Sequence, residues 1–195
     1  MQPILLAGPA GSGKDQAARY LATQWDLAIH HLATPLYALY FSASWQAAER
    51  HLVANGRNQT LVRRQFLQQA GDLYRRFSPT LLVDLLMERA QSEGPGIVVP
   101  DVRLPEEVTA FRHHWPTALL IYCHVPDAMR QARQAARDGT ALSAPARHHN
   151  TEVDVLALKD GADIVWDNSG SWETSAQALA TAVSGRLVGE TLERV

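Results

Sequence analysis

Residues 8–14 read Gly-Pro-Ala-Gly-Ser-Gly-Lys, with the spacing Gly-x-x-x-x-Gly-Lys of a phosphate-binding P-loop. Glycines let the backbone turn successive N–H groups inward around an anion, in conformations that a Cβ would obstruct. Lys14 would bring a mobile positive charge to the β- and γ-phosphates of a nucleoside triphosphate. The segment therefore predicts an ATP site, against the alternative of an ordinary glycine-rich turn. The predicted ATP-binding residues of this segment are Gly8, Pro9, Ala10, Gly11, Ser12, Gly13, Lys14, Asp15 and Gln16.

Two aspartates are candidate ligands for the Mg²⁺ that accompanies ATP. Asp15 stands directly after the P-loop lysine, where Ser or Thr is usual, and a carboxylate is also a good hard-cation ligand. Asp101 follows the apolar run 97–99, and ligands of open α/β sheets bind at the carboxyl ends of such strands. Asp101 could hold the magnesium water shell or orient an acceptor hydroxyl. Arg103 could bind an acceptor phosphate, and a salt bridge between Asp101 and Arg103 is the structural alternative.

A polar helical stretch at residues 59–76 offers a binding surface. Arg64, Gln68 and Asp72 are four residues apart and therefore share one face of the helix. Gly71 interrupts the stretch at a cost of about 1 kcal/mol relative to Ala, which close approach of a ligand would justify. The alternative interpretation is a charged face in contact with solvent.

A second basic helix is predicted at residues 127–137, followed by a loop rich in small and polar residues. A basic helix before such a loop, after the fourth strand, is typical of a kinase lid. Its arginines can screen the charge of a transferring phosphoryl group. The predicted lid arginines are Arg130, Arg133 and Arg137.

Short apolar runs alternate with helical patterns along the whole chain. The strand candidates are 4–7, 27–32, 97–99, 117–125 and 162–166, and the helix candidates are 14–25, 34–45, 59–76, 80–91, 104–114, 127–137 and 174–183. This alternation predicts an α/β fold with a parallel sheet and helices on both faces. We expect one domain over 1–195, with an acceptor-binding helical subregion at about 34–92 and a lid region at about 127–150.

Composition narrows the possible partners. A net charge of −2 produces no strong field toward nucleic acid, so DNA binding would depend on a local basic patch. No apolar run reaches the length of a membrane span, and the N-terminus lacks the basic lead-in of a signal peptide. The single cysteine, Cys123, lies in an apolar run and fits an inert buried thiol in a reducing compartment. We therefore expect a cytoplasmic protein without a membrane partner.

Five segments carry motifs that recur together in one family. They are Gly8 to Asp15, the Arg-x-Phe-Leu-Gln-x-x-Gly-Asp run 64–72, Val99 to Glu107, His149 to Glu152, and Asp163 to Asn168. These segments resemble the deoxynucleoside monophosphate kinase family of tailed bacteriophages. The resemblance implies the nucleoside monophosphate kinase form of the P-loop fold, with three layers, a five-stranded parallel sheet and a small lid.

The same resemblance implies ATP and Mg²⁺ as cofactors and a deoxynucleotide as acceptor. It makes Asp15 typical rather than unusual, since Asp habitually follows the lysine in this family. It also implies an asparagine near the adenine, at Asn168. With the candidates above, the acceptor-binding residues are expected to be Tyr37, Arg64, Gln68, Asp72, Arg103, His149 and Glu152.

Two positions depart from the family pattern. Gln16 stands where the family usually carries Thr, and Tyr37 stands where it often carries Lys. An aromatic side chain suits stacking on a base, and short phage kinases similar to this family are thought to phosphorylate 5-hydroxymethyldeoxyuridine within DNA. With the arginine clusters at 57–76 and 130–147, this favours a DNA acceptor slightly over a free deoxynucleoside monophosphate.

The expected mechanism is in-line transfer of the γ-phosphoryl group of ATP, in the host cytoplasm if the chain is phage-encoded. Lys14 would hold the donor, and Asp101 would orient an acceptor hydroxyl or also deprotonate it. Arg64 and Arg103 would face the acceptor. The transition state would be faced by Arg130, Arg133 or Arg137. Two other classes stay open. One is a nucleotide-binding ATPase or switch without a small acceptor, and the other is an unrelated small-metabolite kinase on the same fold.

Overall fold

Within the described residues, 2–90, 96–138 and 150–192 of this computed structural model, five short strands form one parallel sheet. The strands are β1 (Ile4–Ala7), β2 (Ala28–Ile29), β3 (Ile97–Val99), β4 (Leu119–His124) and β5 (Ile164–Asp167). Their spatial order is β2-β3-β1-β4-β5. Both β3 and β4 pair with β1, so the winding of the sheet reverses there. The carboxyl ends of strands at such a reversal form the ligand crevice of open α/β sheets.

Helices connect the strands and cover both faces of the sheet. They are α1 (Lys14–Trp25), α2 (Thr34–Tyr40), α3 (Ala43–Ala54), α4 (Gln59–Phe77), α5 (Leu81–Ala90), α6 (Pro105–His114), α7 (Asp127–Asp138), α8 (Asn150–Ala157) and α9 (Trp172–Leu192). The long helix α4 packs against α2, α3 and α5, and so forms the centre of a helical layer. Across the described part of the chain, no helix combines the length and apolarity needed to cross a bilayer.

Alternate residues of the central strands enter two separate hydrophobic cores. In β1, Leu5 and Ala7 pack with residues of α5 and α6, whereas Ile4 and Leu6 pack with residues of α1 and α9. The side chains of successive strand residues point to opposite faces, and all of β1 is buried. A continuous apolar run is what a central parallel strand covered on both faces requires. The three-layer fold class predicted from the sequence is confirmed.

The second strand is shorter than the predicted range 27–32. It ends at Ile29, and the N–H groups of Leu32 and Ala33 bond to the Asp101 side chain instead of to a neighbouring strand. A side-chain carboxylate that accepts hydrogen bonds from backbone N–H groups competes with the hydrogen bonds between strands, and β2 is correspondingly short.

The helix predicted at 34–45 is two helices. α2 ends at Tyr40, and Ser42 begins α3 because its Oγ accepts a hydrogen bond from the Trp45 N–H at 3.4 Å. The predicted lid falls partly on residues 139–149, which lie outside the described residues.

Candidate active site

A cavity of about 990 Å³ opens at the carboxyl edge of the sheet, between the P-loop and the helical layer of α2 and α4. It joins segments that are far apart in the sequence. The predicted site residues that line it are Ala10, Gly11, Gly13, Lys14, Asp15, Gln16, Tyr37, Arg64, Gln68, Asp101, Arg103 and Arg133. The structure therefore brings the predicted donor and acceptor groups into one cleft.

Other predicted residues do not line this cavity. Asp72, on α4, is half-buried outside the cavity wall. Arg130 and Asn168 also lie outside the cavity lining. Their side chains donate hydrogen bonds to backbone carbonyl oxygens of the P-loop. His149 lies outside the described residues, as do the side chains of Arg137 and Glu152.

The P-loop adopts a conformation that only glycines tolerate well. Gly8, Gly11 and Gly13 have φ values of 137°, 83° and 94°. Gly8 also has no room for a side chain, because a Cβ there would lie 2.6 Å from the Cys123 carbonyl oxygen. Lys14 Nζ donates hydrogen bonds to the carbonyl oxygens of Gly8 at 2.5 Å and Pro9 at 3.0 Å. The Lys14 side chain is thus held against the first two residues of the P-loop.

Donor groups from distant elements bind the outward carbonyls of the loop. Asn168, which follows β5, is 3% exposed and donates from Nδ2 to the Ser12 carbonyl at 3.0 Å. Arg130 on α7 donates from Nη1 to the Ala10 carbonyl at 3.0 Å. When the carbonyls are held on the outer side, the loop N–H groups are directed to the inner side, where an anion would bind.

These contacts show how three predicted residues are held, and the roles expected of them stay predictions. Sequence reasoning assigned Arg130 to the lid, but its guanidinium pairs with Asp127 and holds the loop. Arg133 lines the cavity and donates from Nη2 to the Asn168 carbonyl at 3.0 Å. Asn168 was expected near the adenine, and the structure places its side chain against Gly13, where a Cβ would lie 2.3 Å from Nδ2.

Asp101 anchors the turn that leads into α2. Its Oδ1 accepts from the Leu32 N–H and its Oδ2 from the Ala33 N–H, both at 2.9 Å. His31 Nδ1 lies 3.9 Å from Oδ2. The structure thus gives Asp101 different partners from the Arg103 salt bridge considered above. The carboxylate is therefore fixed in the cavity wall just after β3, the strand that pairs with β1.

Asp15 and Asp101 are the carboxylates among the described lining residues that could hold Mg²⁺. Asp15 is exposed on the first turn of α1, and both carboxylates line the cavity together with Lys14. Mg²⁺ usually takes one or two protein carboxylates and completes its octahedron with waters and substrate phosphates. Each Asp101 oxygen accepts one backbone N–H and retains a further lone pair. The two residues could therefore hold the ion directly or through water.

Glu107 is a site-supporting residue that sequence reasoning missed. It is fully buried, and its Oε2 accepts from the backbone N–H groups of Arg103 at 2.8 Å and Leu104 at 3.1 Å. Its Oε1 pairs with Arg75 Nη2 at 2.9 Å. Glu107 thereby links the segment that carries Arg103 to helix α4. Pro105 at the first helical turn with Glu at the third position is a helix-start signal that could have identified it.

The same ion pair explains the glycine within α4. A Cβ on Gly71 would lie 2.9 Å from Arg75 Nη1 and 3.4 Å from Leu36 Cδ1. The close approach is therefore made by neighbouring side chains. Gly71 does not line the cavity, so the sequence-based inference that a ligand approaches it stays a prediction without support from the cavity geometry.

Tyr37 and Arg63 form part of the cavity wall, with the cation over the aromatic ring. The Arg63 guanidinium lies 5.2 Å from the Tyr37 ring centroid and 5.4 Å from that of Tyr40, within cation–π range. The Tyr40 hydroxyl donates to the buried carboxylate of Glu49. Burial, followed by the nearby Glu49 carboxylate, raises the pKa of Tyr40 above its ordinary value. Arg63, also unpredicted, lines the cavity beside Tyr37.

The cavity wall is strongly basic, although the chain is not. The whole chain has 18 Lys and Arg against 20 Asp and Glu. The carboxylates among the described lining residues are those of Asp15 and Asp101. The cationic lining residues are Lys14, Arg19, Arg63, Arg64, Arg75, Arg103 and Arg133, of which Arg75 is paired with the buried Glu107. Such a wall can bind more than one anionic group at once.

Comparison with known proteins identifies the fold. Neither the protein-family models nor the curated proteins matched the sequence. Among solved structures, TT1252 from Thermus thermophilus superposes with a TM-score of 0.59 at 21% identity, covering 94% of this chain and 97% of its own. A gluconokinase from Sinorhizobium meliloti gives 0.55 at 17% identity, covering 98% and 95%. Shikimate kinase from Aquifex aeolicus gives 0.56 at 12% identity, covering 96% and 99%. The chain has the nucleoside monophosphate kinase-like P-loop fold that these structures share.

Proposed function

We propose that this protein is an ATP-dependent phosphotransferase whose acceptor is a deoxynucleotide. The observation that carries the proposal is the continuity of one cavity from the P-loop to a wall of arginines. A P-loop binds the triphosphate of the donor. The additional cations across the cleft, Arg64 and Arg103 among them, supply charge for a second anionic ligand. Kinases on the same fold, such as the gluconokinase, support phosphoryl transfer as the reaction.

The chain's own groups divide the work between two sides of the cleft. The loop N–H groups and Lys14 bind the β- and γ-phosphates, and Arg133 adds positive charge where phosphoryl charge develops. Arg64 and Arg103 bind the acceptor. Asp101 orients an acceptor hydroxyl and receives its proton. Asp15 or Asp101 would hold Mg²⁺, which would supply positive charge to the donor phosphates.

The leading acceptor is the 5-hydroxymethyl group of 5-hydroxymethyldeoxyuridine in DNA, as in thymidine hypermodification. Its hydroxyl needs a positioned acceptor for its proton, and Asp101 is a carboxylate fixed in the cavity wall. Its base needs a stacking surface, and the Arg63 guanidinium that lies over the Tyr37 ring would supply one. Exposed arginines of the same helical layer, Arg57 and Arg76, could contact the strand outside the cavity.

A second candidate is a kinase of free deoxynucleoside monophosphates. The concentration of arginines inside the cavity favours it, because a phosphate acceptor carries its own negative charge into the cleft. Such an acceptor needs no general base, only cations that offset its repulsion with the γ-phosphate. Asp101 would then serve as the anchor of the turn before α2 and as a magnesium ligand.

The deciding experiment offers γ-labelled ATP with one acceptor at a time. The panel contains DNA bearing 5-hydroxymethyluracil, the same DNA with thymine, the free deoxynucleoside monophosphates, gluconate and shikimate. We expect label in the 5-hydroxymethyluracil DNA, weakening as salt rises because phosphate contacts release counterions. Label only in a free monophosphate selects the second candidate. Label only in gluconate or shikimate, or ATP hydrolysis that no acceptor stimulates, would refute a deoxynucleotide kinase.

A further inference from the structure

Gln134 carries a buried polar group in the wall of the cavity. The residue lies on α7, is 2% exposed and lines the cavity next to Arg133. Among the described residues, its Nε2 has no hydrogen-bond partner. A buried donor without a partner lowers stability, so its presence in a ligand cavity points to a partner that arrives with the ligand.

The side chain sits against the middle of the P-loop. A Cβ on Gly11 would lie 3.2 Å from Gln134 Cγ and 2.9 Å from the Arg130 carbonyl oxygen. The Arg130 guanidinium binds the Ala10 carbonyl one residue earlier. Helix α7 is therefore packed directly on Ala10 and Gly11, the segment whose N–H groups surround the phosphates in a P-loop.

We propose that Gln134 donates a hydrogen bond from Nε2 to a phosphate oxygen of the bound nucleoside triphosphate. The inference rests on the proposed function only for the identity of the donor as ATP. Rotation about the terminal bond exchanges the two ends of the carboxamide, so its NH₂ can be turned to the cavity side. A neutral amide adds a donor without adding charge to a loop that already has Lys14. A hydrogen bond to a charged oxygen of this kind strengthens binding by about tenfold.

The test compares Gln134→Leu and Gln134→Glu with Gln131→Leu, an exposed glutamine on the same helix. ATP affinity is measured by titration calorimetry, and stability by thermal unfolding without nucleotide. Gln134→Leu is expected to bind ATP about tenfold more weakly while its unfolding temperature is unchanged or higher. An apolar group of similar size removes the unpartnered donor, so stability and affinity should move in opposite directions. Gln134→Glu should bind ATP more weakly still, because its carboxylate repels phosphate. Gln131→Leu should match the wild type.

Competition by inorganic triphosphate locates the contact. Gln134→Leu should weaken triphosphate binding by the same factor as ATP binding. Wild-type ATP affinity in Gln134→Leu overturns the proposal, and so does a loss for ATP without a loss for triphosphate, which would place the contact on the nucleoside. Gln134-dependent ATP binding without labelling of any acceptor keeps this inference and overturns the kinase. Failure of the wild-type protein to bind ATP overturns both.

Discussion

Under the proposed function, the cleft has a donor side at the P-loop and an acceptor side around Asp101 and Arg103, and the two sides are held by opposite chemistry. On the donor side, cations and an amide bind backbone carbonyls of the P-loop, as Arg130 does at Ala10 and Asn168 at Ser12. On the acceptor side, carboxylates each bind two successive backbone N–H groups. Asp101 does this before α2, and Glu107 does it before α6.

The difference follows from what each side presents to its ligand. A P-loop must direct its backbone N–H groups to the phosphates. Its carbonyl groups then point outward, where side chains from other elements can bind them. The acceptor side presents side chains such as Arg103, so its backbone N–H groups are available to buried acids. In the proposed function, the donor side would therefore bind through main-chain N–H groups together with Lys14, and the acceptor side through side chains mounted on a fixed main chain. Four experiments test this division.

The largest expected effect is on the donor side, at Lys14. In Lys14→Ala the loop keeps its backbone but loses the cation for the β- and γ-phosphates. We expect kcat/KM to fall by about 1,000-fold in the labelled-ATP assay. Lys159→Ala is a matched control, because it removes the chain's only other lysine, which is exposed. Turnover in Lys14→Ala equal to the Lys159 control would contradict the P-loop assignment.

The second experiment removes the acid that supports the acceptor side. Glu107→Ala leaves Arg75 without its carboxylate and two N–H groups without their acceptor. Breaking a buried ion pair in this way should lower the free energy of unfolding by about 3–5 kcal/mol, measured by urea denaturation. Glu106→Ala, at the exposed neighbouring position, should stay within about 0.5 kcal/mol of the wild type. Equal losses in the two variants would exclude the supporting role of Glu107.

The third experiment separates the two sides kinetically. In Asn168→Ala the Ser12 carbonyl loses its donor, so the loop is less firmly held. We expect the KM for ATP to rise by about tenfold while the KM for the acceptor is unchanged. Asn55→Ala, which removes an exposed asparagine bonded to the His51 carbonyl, should change neither constant. A rise in both KM values for Asn168→Ala would show that the two sides are not independent.

The smallest effect concerns the thiol behind the donor loop. Burial raises the pKa of Cys123 from 9.0 to about 12. Folding thus favours the protonated thiol, and this contribution to stability is present below pH 9 and lost as pH rises toward 12. At pH 8 the native protein should resist an aromatic disulfide reagent that reacts at once with the urea-unfolded chain. Rapid reaction of the folded protein would mean that the structure around Cys123, next to Gly8 of the P-loop, opens readily.

Local chemistry explains which parts of the site were predictable. The P-loop is a run of consecutive residues, so phosphate binding could be predicted from the spacing of its residues. Asp101 could be predicted as a site residue because it is an acid that follows an apolar strand. Arg63 and Glu107 were missed because their partners, Tyr37 and Arg75, are distant in the sequence.

By itself, the sequence determined the donor loop, the alternation of strands and helices, and the burial of β1, because each depends on residues near one another in the chain. Only the tertiary structure decided that Arg130 and Asn168 hold the loop carbonyls and that Asp101 anchors the turn before α2. It also decided that the basic lining faces one cavity in a chain of net charge −2. These features depend on where the carboxyl ends of parallel strands meet, and that position is set by packing between segments far apart in the chain.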